Sequence, residues 1–329
     1  MTREVDRDEK LNEMVTKYTA NRRRFLQNSA GLGMGFFGSF MLGACGGNSN
    51  GAVAQQDEGP NDLQILNFAL NLEYLEAEFY LQAAIGENLP ANLVGDNPGM
   101  VQGGRRVDTF TNGGTGIIQR YANEIAADER DHVRFLRTAL GDAAVPRPRI
   151  NIQDAFTVAA QAAGLINEGE IFDPYASEDN FLLAAYIFED VGVSAYKGAS
   201  PFASTDIIEA AAGLLAAEAY HAGLVRGVLF SRGAFDGADA ISNARDSLDG
   251  DTDLDQGISP MDVTLNGQTV SASNIVPLDA NGLAFSRSPG QVLNIVYLNP
   301  EPVSSGGFFP DGINGDIATS ADSSGSAMT

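Results

Sequence analysis

The sequence has one cysteine, no tryptophan and only two histidines in 329 residues. A single thiol, Cys45, excludes an internal disulfide, a zinc ribbon and a cysteine-held iron–sulfur cluster. Lysine nearly vanishes beyond residue 45, where Lys197 stands alone, and there 13 basic residues face 38 acidic ones. So acidic a surface repels phosphate backbones and argues against nucleic acid as a partner. It suits solubility or attraction of cations, neither of which is specific. The apolar run over residues 31–44 is too short to span a bilayer comfortably. Gly103-Gly104 and Gly113-Gly114 lie in no phosphate-loop pattern.

Residues 1–20 are polar. They lead into Arg22-Arg23-Arg24-Phe25-Leu26 and then the weak apolar run, which closes on Leu42-Gly43-Ala44-Cys45. Paired arginines before a mildly apolar stretch read as a twin-arginine export signal. Leu-Gly-Ala-Cys resembles a lipobox, whose cysteine is lipidated. The expectation is an exported protein, periplasmic or at the cell surface, touching membrane only through a lipid anchor on Cys45. Residues 1–45 would be signal and 46–59 a linker.

Four long helical patterns follow within residues 60–231. The first, residues 61–85, carries Leu66, Leu70, Ala77, Tyr80 and Ala84 at steps of three and four, with Glu73 in the gap. The second, 116–140, aligns Ile118, Ala122, Ile125 and Leu136. The third opens on Ser177 as N-cap and passes Leu182, Ala185, Val193 and Tyr196 before Pro201. The fourth starts near Ser204 and passes Ile208, Ala211, Leu215, Leu224 and Val228. A short turn makes helices three and four antiparallel neighbours. The 36 or so residues between helices two and three, holding a short helical pattern over 152–166, suit a long crossover. Residues 86–114 form a long glycine-rich connection, a lid or a surface loop.

After residue 231 helical periodicity fades. Val263 to Val270 is a hairpin candidate turning at Asn266-Gly267. Ser288-Pro289-Gly290-Gln291 predicts a capped short helix through Tyr297. Residues 232–314 read as an appendage on the bundle and 315–329 as a disordered tail. The alternate acids Asp249, Asp251, Asp253 and Asp255 read as a solvated loop, since the glycine and closing glutamate of a calcium hand are missing.

The chemistry lies in Glu129-Arg-Asp-His132 and Glu218-Ala-Tyr-His221. Positions i and i+3 share a helix face, so each pair offers one carboxylate and one imidazole from one side. Both pairs fall on the apolar line of their helix. With 17 glutamates in the chain, both histidines would follow a glutamate by three residues in roughly 0.3% of random chains of this composition, so chance is a poor account. The other two helices each bring an inward glutamate, Glu73 and Glu189. Glu73 precedes Tyr80 by seven residues, as Glu189 precedes Tyr196. The helices thus read as two copies of one unit, arranged about a pseudo-twofold axis. Burying unpaired carboxylates costs several kcal/mol each, and two divalent cations would offset that charge. Ser-His-Asp catalysis has little support with both histidines so committed.

This ligand pattern is that of ferritin-like di-iron and di-manganese proteins. The run from Asn67 to Tyr80, with Glu73 and Glu76 inside it, resembles the first helix of the ferritin-like-domain family that includes plant desiccation-related proteins. The segments from Asn274 to Ser286 and from Gln291 to Tyr297 resemble that family's tail. The resemblance implies an all-α, ferritin-like four-helix bundle with a long crossover, plus a C-terminal mixed appendage. It also implies a binuclear site of iron or manganese. Glu73 and Glu189 would hold one metal each or one of them would bridge, Glu129 and Glu218 would bridge or swing between modes, and His132 and His221 would each cap one ion. Glu76, one turn after Glu73, could replace it, while Tyr80 and Tyr196 would bond to ligand carboxylates or simply fill the core. Such a centre suits peroxide or dioxygen as partner, in a peroxidase, a catalase-like enzyme or a metal oxidase. The alternative is a non-catalytic envelope stress protein with a structural metal or none. Cage storage is disfavoured by an anchored N-terminus and a long tail, although a smaller homo-oligomer is compatible. Substrate oxygenation would need a defined apolar pocket.

Overall fold

A computed structural model describes residues 60–110 and 116–323. The expected signal, lipobox and linker lie outside the described residues. Everything below belongs to one compact unit that begins at Asp62.

Four long helices build the bundle: α1 (Asp62–Ile85), α2 (Ile117–Leu140), α4 (Glu178–Ala199) and α5 (Ile208–Arg232). The short α3 (Asp154–Ala162) sits in the crossover. α1 packs mainly on α2, and α4 on α5. Ser177 caps α4, its hydroxyl accepting from the Asn180 amide at 3.1 Å. α5 stops at Gly233, left-handed at φ 70°, whose N–H reaches back to Leu229 and Phe230. It begins at Ile208, later than the sequence suggests, because Ser204 bonds Asp62 through its amide (3.0 Å) and hydroxyl (2.5 Å).

The helices are buried unequally, which a single apolar line does not convey. α1 buries 19 of its 24 residues and α4 buries 15 of 22, against seven of 25 for α5. α1 and α4 are therefore inner helices, covered on the side away from α2 and α5 by the loops and the C-terminal segments. On α5 the buried stripe runs through Leu214, Glu218, His221, Val225 and Leu229, about one residue away from the expected line at its two ends.

The long connections are pinned to each other. Strand β1 (Val101–Gln102) of the first pairs in parallel with β2 (Ile150–Asn151) of the crossover. Arg147, buried beneath them, pairs with Glu78 of α1 and donates to the Gly99 carbonyl at 2.8 Å.

Beyond the bundle the hairpin forms as expected, β3 (Met261–Leu265) against β4 (Gln268–Ala272), with Val263 opposite Val270. α7 (Pro289–Tyr297) carries the full capping box between Ser288 and Gln291. Two expectations are corrected. α6 (Phe235–Asp249) fills a stretch read as non-helical, because its buried stripe Ala238, Ile241, Ser242, Arg245, Asp249 has helical spacing but is largely polar. Residues 315–323 are also in place: Ala318 accepts from the Tyr297 hydroxyl at 3.0 Å and Ala321 from Asn294 at 2.9 Å.

The appendage is riveted by a buried charge network. Arg245 holds Asp255 at 2.6 Å and Asp190 of α4 at 2.8 Å. Arg226 of α5 meets the same Asp190 oxygen at 2.8 Å and donates to carbonyls of Gln256, Gly257, Asn274 and Ile275. Arg287 joins Asp249 (2.5 Å) to Asp255 (2.9 Å). Asp249 and Asp255 are thus arginine partners, not part of a solvated loop, whereas Asp251 and Asp253 are exposed. Gly198 of α4 lets this segment close in, since a Cβ there would strike the Arg287 backbone.

Candidate metal centre

Each bundle helix delivers its expected residue to one buried point. Glu73 comes from α1, Glu129 and His132 from α2, Glu189 from α4, and Glu218 and His221 from α5. The four carboxylates are at most 1% exposed and His221 is 6% exposed. Around His132, Nδ1 lies 3.2 Å from Glu73 Oε2, 3.4 Å from Glu129 Oε2 and 3.4 Å from Glu218 Oε1. Around His221, Nδ1 lies 3.0 Å from Glu129 Oε1 and 3.8 Å from Glu189 Oε2. The imidazole rings stand 6.2 Å apart. Donor atoms of Glu73, Glu129, His132 and Glu218 fall within 4.8 Å of one another, as do those of Glu189, Glu218 and His221. These are two groups able to hold a metal ion, with Glu218 in both and Glu129 reaching both histidines.

The tyrosines complete the twofold. The Tyr80 hydroxyl donates to Glu189 and the Tyr196 hydroxyl to Glu73. Each inward glutamate is therefore held by the tyrosine of the opposite helix. Stacked rings of Phe79 and Phe181 pack against Tyr80 from the dry side.

Glu76 is buried beside them at 6% exposure, and Glu78 follows at 0%. The two differ in what answers them. Glu78 pairs with Arg147 and accepts from the Leu89 amide at 3.2 Å. Glu76 faces Glu218, Glu129, Glu189 and Glu73.

The electrostatics are those of a site short of positive charge. Burial first, then the carboxylates around it, pushes the Glu76 carboxyl well up. Burial lifts Glu73 to about 8 despite His132, and raises Glu189 and Glu218 too. Burial would also raise Glu129, but both imidazoles overturn that and hold it below the ordinary range. Burial disfavours charged histidine, yet Glu73 and Glu129 carry His132 well up. The neighbouring Asp128 and Glu129 carboxylates help carry His221 up to about 12.

Polar atoms left without hydrogen-bond partners test that reading. Both oxygens of Glu129, both of Glu218, Oε2 of Glu189 and Nδ1 of His221 are buried and have none. Buried polar atoms normally find partners. Oxygen and nitrogen donors left bare around one point fit a divalent cation of the iron or manganese kind.

Asp128 is a residue the sequence reading passed over. Its Oδ2 lies 3.4 Å from Nε2 of His221, the place where a carboxylate orients a ligating imidazole. The signal was the pair Asp128-Glu129 at the bundle's only i−1 acidic neighbour of an inward glutamate on α2. Asp128, Glu124, Tyr220 and His221 line an open groove of about 560 Å³ between α2 and α5. A second pocket, apolar and lined by Phe68, Leu72, Phe135, Tyr196 and Leu214, has about 30 Å³ of room.

Comparison with known proteins agrees with this architecture. Residues 61–231 match the model of the ferritin-like domain. The Ferritin-like catalase Nec2 of Nesocodon mauritianus is 29% identical over 274 residues, covering 78% of this chain and 85% of the relative. The Desiccation-related protein PCC13-62 of Craterostigma plantagineum is 28% identical over 267 residues, covering 76% and 83%. No solved structure matches significantly. The chain belongs to the ferritin-like domain family.

Proposed function

We propose that this ferritin-like chain is an exported protein that holds two iron or manganese ions and uses them to remove hydrogen peroxide under stress. The observation that carries the reading is the set of buried, unbonded oxygens on Glu129 and Glu218 between two histidines. Glu73, Glu129, His132, Glu189, Glu218 and His221 would hold the two ions, with Glu218 common to both groups. A pair of redox-active ions supplies a two-electron change, which balances conversion of two peroxide molecules to dioxygen and two waters. The protein's own part is positional. Tyr80 and Tyr196 fix Glu189 and Glu73 by their hydroxyls, and Asp128 fixes the ring of His221. Asp128 also stands where a proton can pass between the centre and the groove.

The small pocket beside Tyr196 favours peroxide over an organic substrate inside the bundle, and the groove of about 560 Å³ is the approach to the centre. Ligand pockets for drug-sized molecules run to about 300 Å³ or more, and the apolar pocket beside Tyr196 has about 30 Å³. The wide groove ends on Asp128 and His221, which suits a small hydrophilic reactant. The relative named a ferritin-like catalase supports the same chemistry.

A second reading is a non-catalytic stress protein whose metal is structural, supported by the relative named desiccation-related. Export rests on Arg22-Arg23 and the run up to Cys45, with lipidated Cys45 as anchor. Among the described residues no helix is long and apolar enough to cross a membrane.

The test is metal content and dioxygen release on the purified protein, beside Glu129→Ala/Glu218→Ala. Two ions per chain and oxygen evolution from peroxide are expected, both lost in the double variant. Fewer than one ion per chain after loading defeats the metal reading. Two ions without turnover leaves the structural alternative. Labelling of Cys45 by a fatty-acid probe, lost in Cys45→Ala, tests the anchor.

A further inference from the structure

The ligand and tyrosine positions of the two halves match, but one inward position of α1 and α4 does not. The spacing of 116 residues that relates Glu73 to Glu189 and Tyr80 to Tyr196 also relates Glu76 to Gly192. α1 and α4 run antiparallel here, since Tyr80 reaches Glu189 while Tyr196 reaches Glu73. Residues 76 and 192 therefore meet near the midplane. One helix offers a carboxylate and the other offers no side chain.

What fills the space at Gly192 gives the asymmetry its meaning. A Cβ built there would lie 2.6 Å from Oε2 of Glu218 and 3.6 Å from Oε1 of Glu76. Contacts under 3.0 Å are not tolerated by real Cβ atoms, so any larger residue would displace the Glu218 carboxylate. The volume given up on α4 is occupied by the Glu218 carboxylate, a member of both metal-holding groups, with Glu76 in ordinary contact distance of the same spot. Glu76 thus lies beside the carboxylate that the two groups share.

Among the described residues no arginine or lysine forms an ion pair with Glu76. Two residues on, Glu78 shows what a structural buried glutamate looks like in this helix, with an arginine and an amide answering it. The charged neighbours of Glu76 are four more glutamates. A fifth carboxylate in that company costs free energy unless a cation meets it.

We propose that Glu76 is a seventh protein ligand of the metal pair, set beside the Glu218 carboxylate that Gly192 accommodates, and that it makes the two ion positions inequivalent. The inference rests on the two-metal reading above. Charge counting gives its purpose. Four carboxylates neutralise two divalent ions, and a fifth leaves the divalent pair one negative charge in excess. The fifth therefore favours a pair that has given up electrons to an oxidant such as peroxide, which lowers its reduction potential.

The experiment loads the metal-free full chain with Mn2+ or Fe2+ and measures stoichiometry, stepwise affinity by chelator competition, and midpoint potential. Glu76→Gln, Gly192→Ala and Glu73→Gln are compared with wild type, with thermal melts of the metal-free proteins as a folding check. Wild type is expected to take two ions with separable affinities. Glu76→Gln should weaken one of them at least tenfold and shift the midpoint potential positive, while the metal-free protein melts no lower than wild type. Gly192→Ala should weaken binding by moving Glu218. A Glu76→Gln protein with wild-type affinities and potential overturns the proposal while leaving the two-metal reading intact. A wild type that binds no pair fails before any variant is compared, and overturns both.

Discussion

Two clusters of buried charge lie a few residues apart in this molecule, and they are built on opposite rules. At the seam between bundle and appendage, Arg226, Arg245 and Arg287 meet Asp190, Asp249 and Asp255, three against three. At the centre, Glu73, Glu76, Glu129, Glu189 and Glu218 meet only His132 and His221. The seam gives every charge an opposite partner at 2.5 to 2.9 Å, although one oxygen each of Asp190 and Asp249 makes no hydrogen bond. The centre leaves carboxylate oxygens bare. Burial of charge alone therefore does not mark a metal site. The mark is an imbalance of sign with donor atoms converging on one point.

The largest expected effect separates the two clusters by stability. Arg245→Met leaves Asp190 with Arg226 alone and Asp255 with Arg287 alone, and should cost about 3 kcal/mol in chemical denaturation. Glu218→Gln in the metal-free protein should cost nothing or stabilise, because it relieves repulsion. Equal losses for both would erase the distinction.

The next contrast is in pH. Glu73 sits at about 8 when folded, against an ordinary glutamate value near 4.5. The folded state therefore holds the extra proton across that interval, and stability falls as pH rises through it. Glu76, Glu189 and Glu218, all raised, act in the same sense. The raised histidines add stability that is full below their ordinary value and is lost only as pH climbs to about 12 for His221. Glu129, held low, matters only in acid. Melting of the metal-free protein should drop by roughly 5 °C or more between pH 5 and 8, and the loaded protein should lose this dependence. Identical pH profiles with and without metal would mean that metal does not replace those protons.

Smaller effects probe the centre's symmetry. Asp128→Asn should weaken one ion about tenfold, the usual scale for a residue that orients a ligand, seen in the same chelator competition. Tyr80→Phe and Tyr196→Phe should each cost about 1–2 kcal/mol in metal-free denaturation, and nearly the same amount. Clearly unequal values would show that the twofold match is one of sequence and not of energy.

The centre was legible because its residues are rare or periodic. Two histidines at one spacing from glutamates, and two Glu-to-Tyr intervals of seven, point to one place. Asp128 escaped because an acid next to an inward glutamate reads as a wet-face residue. The seam escaped for a related reason. Helix α6 buries Ser242, Arg245 and Asp249, and a search for apolar periodicity passes over a stripe whose partners are Asp190 and Asp255. Arg226 on the buried face of α5 was the available signal. Residues 315–323 looked like tail because glycine, serine and aspartate dominate, yet Asn294 and Tyr297 hold their backbone.

Glu189 and Asp190 are consecutive on α4, one turned to the centre and the other to Arg226 and Arg245. This adjacency carries a consequence for biosynthesis. A ribosome completes all four bundle helices by residue 232, but the groups that hold α4 in register, Arg245, Asp255 and Arg287, emerge later. The nascent bundle is expected to have its ligands and lack its final alignment. Metal insertion then becomes a late event, timed by the arrival of the C-terminal segment.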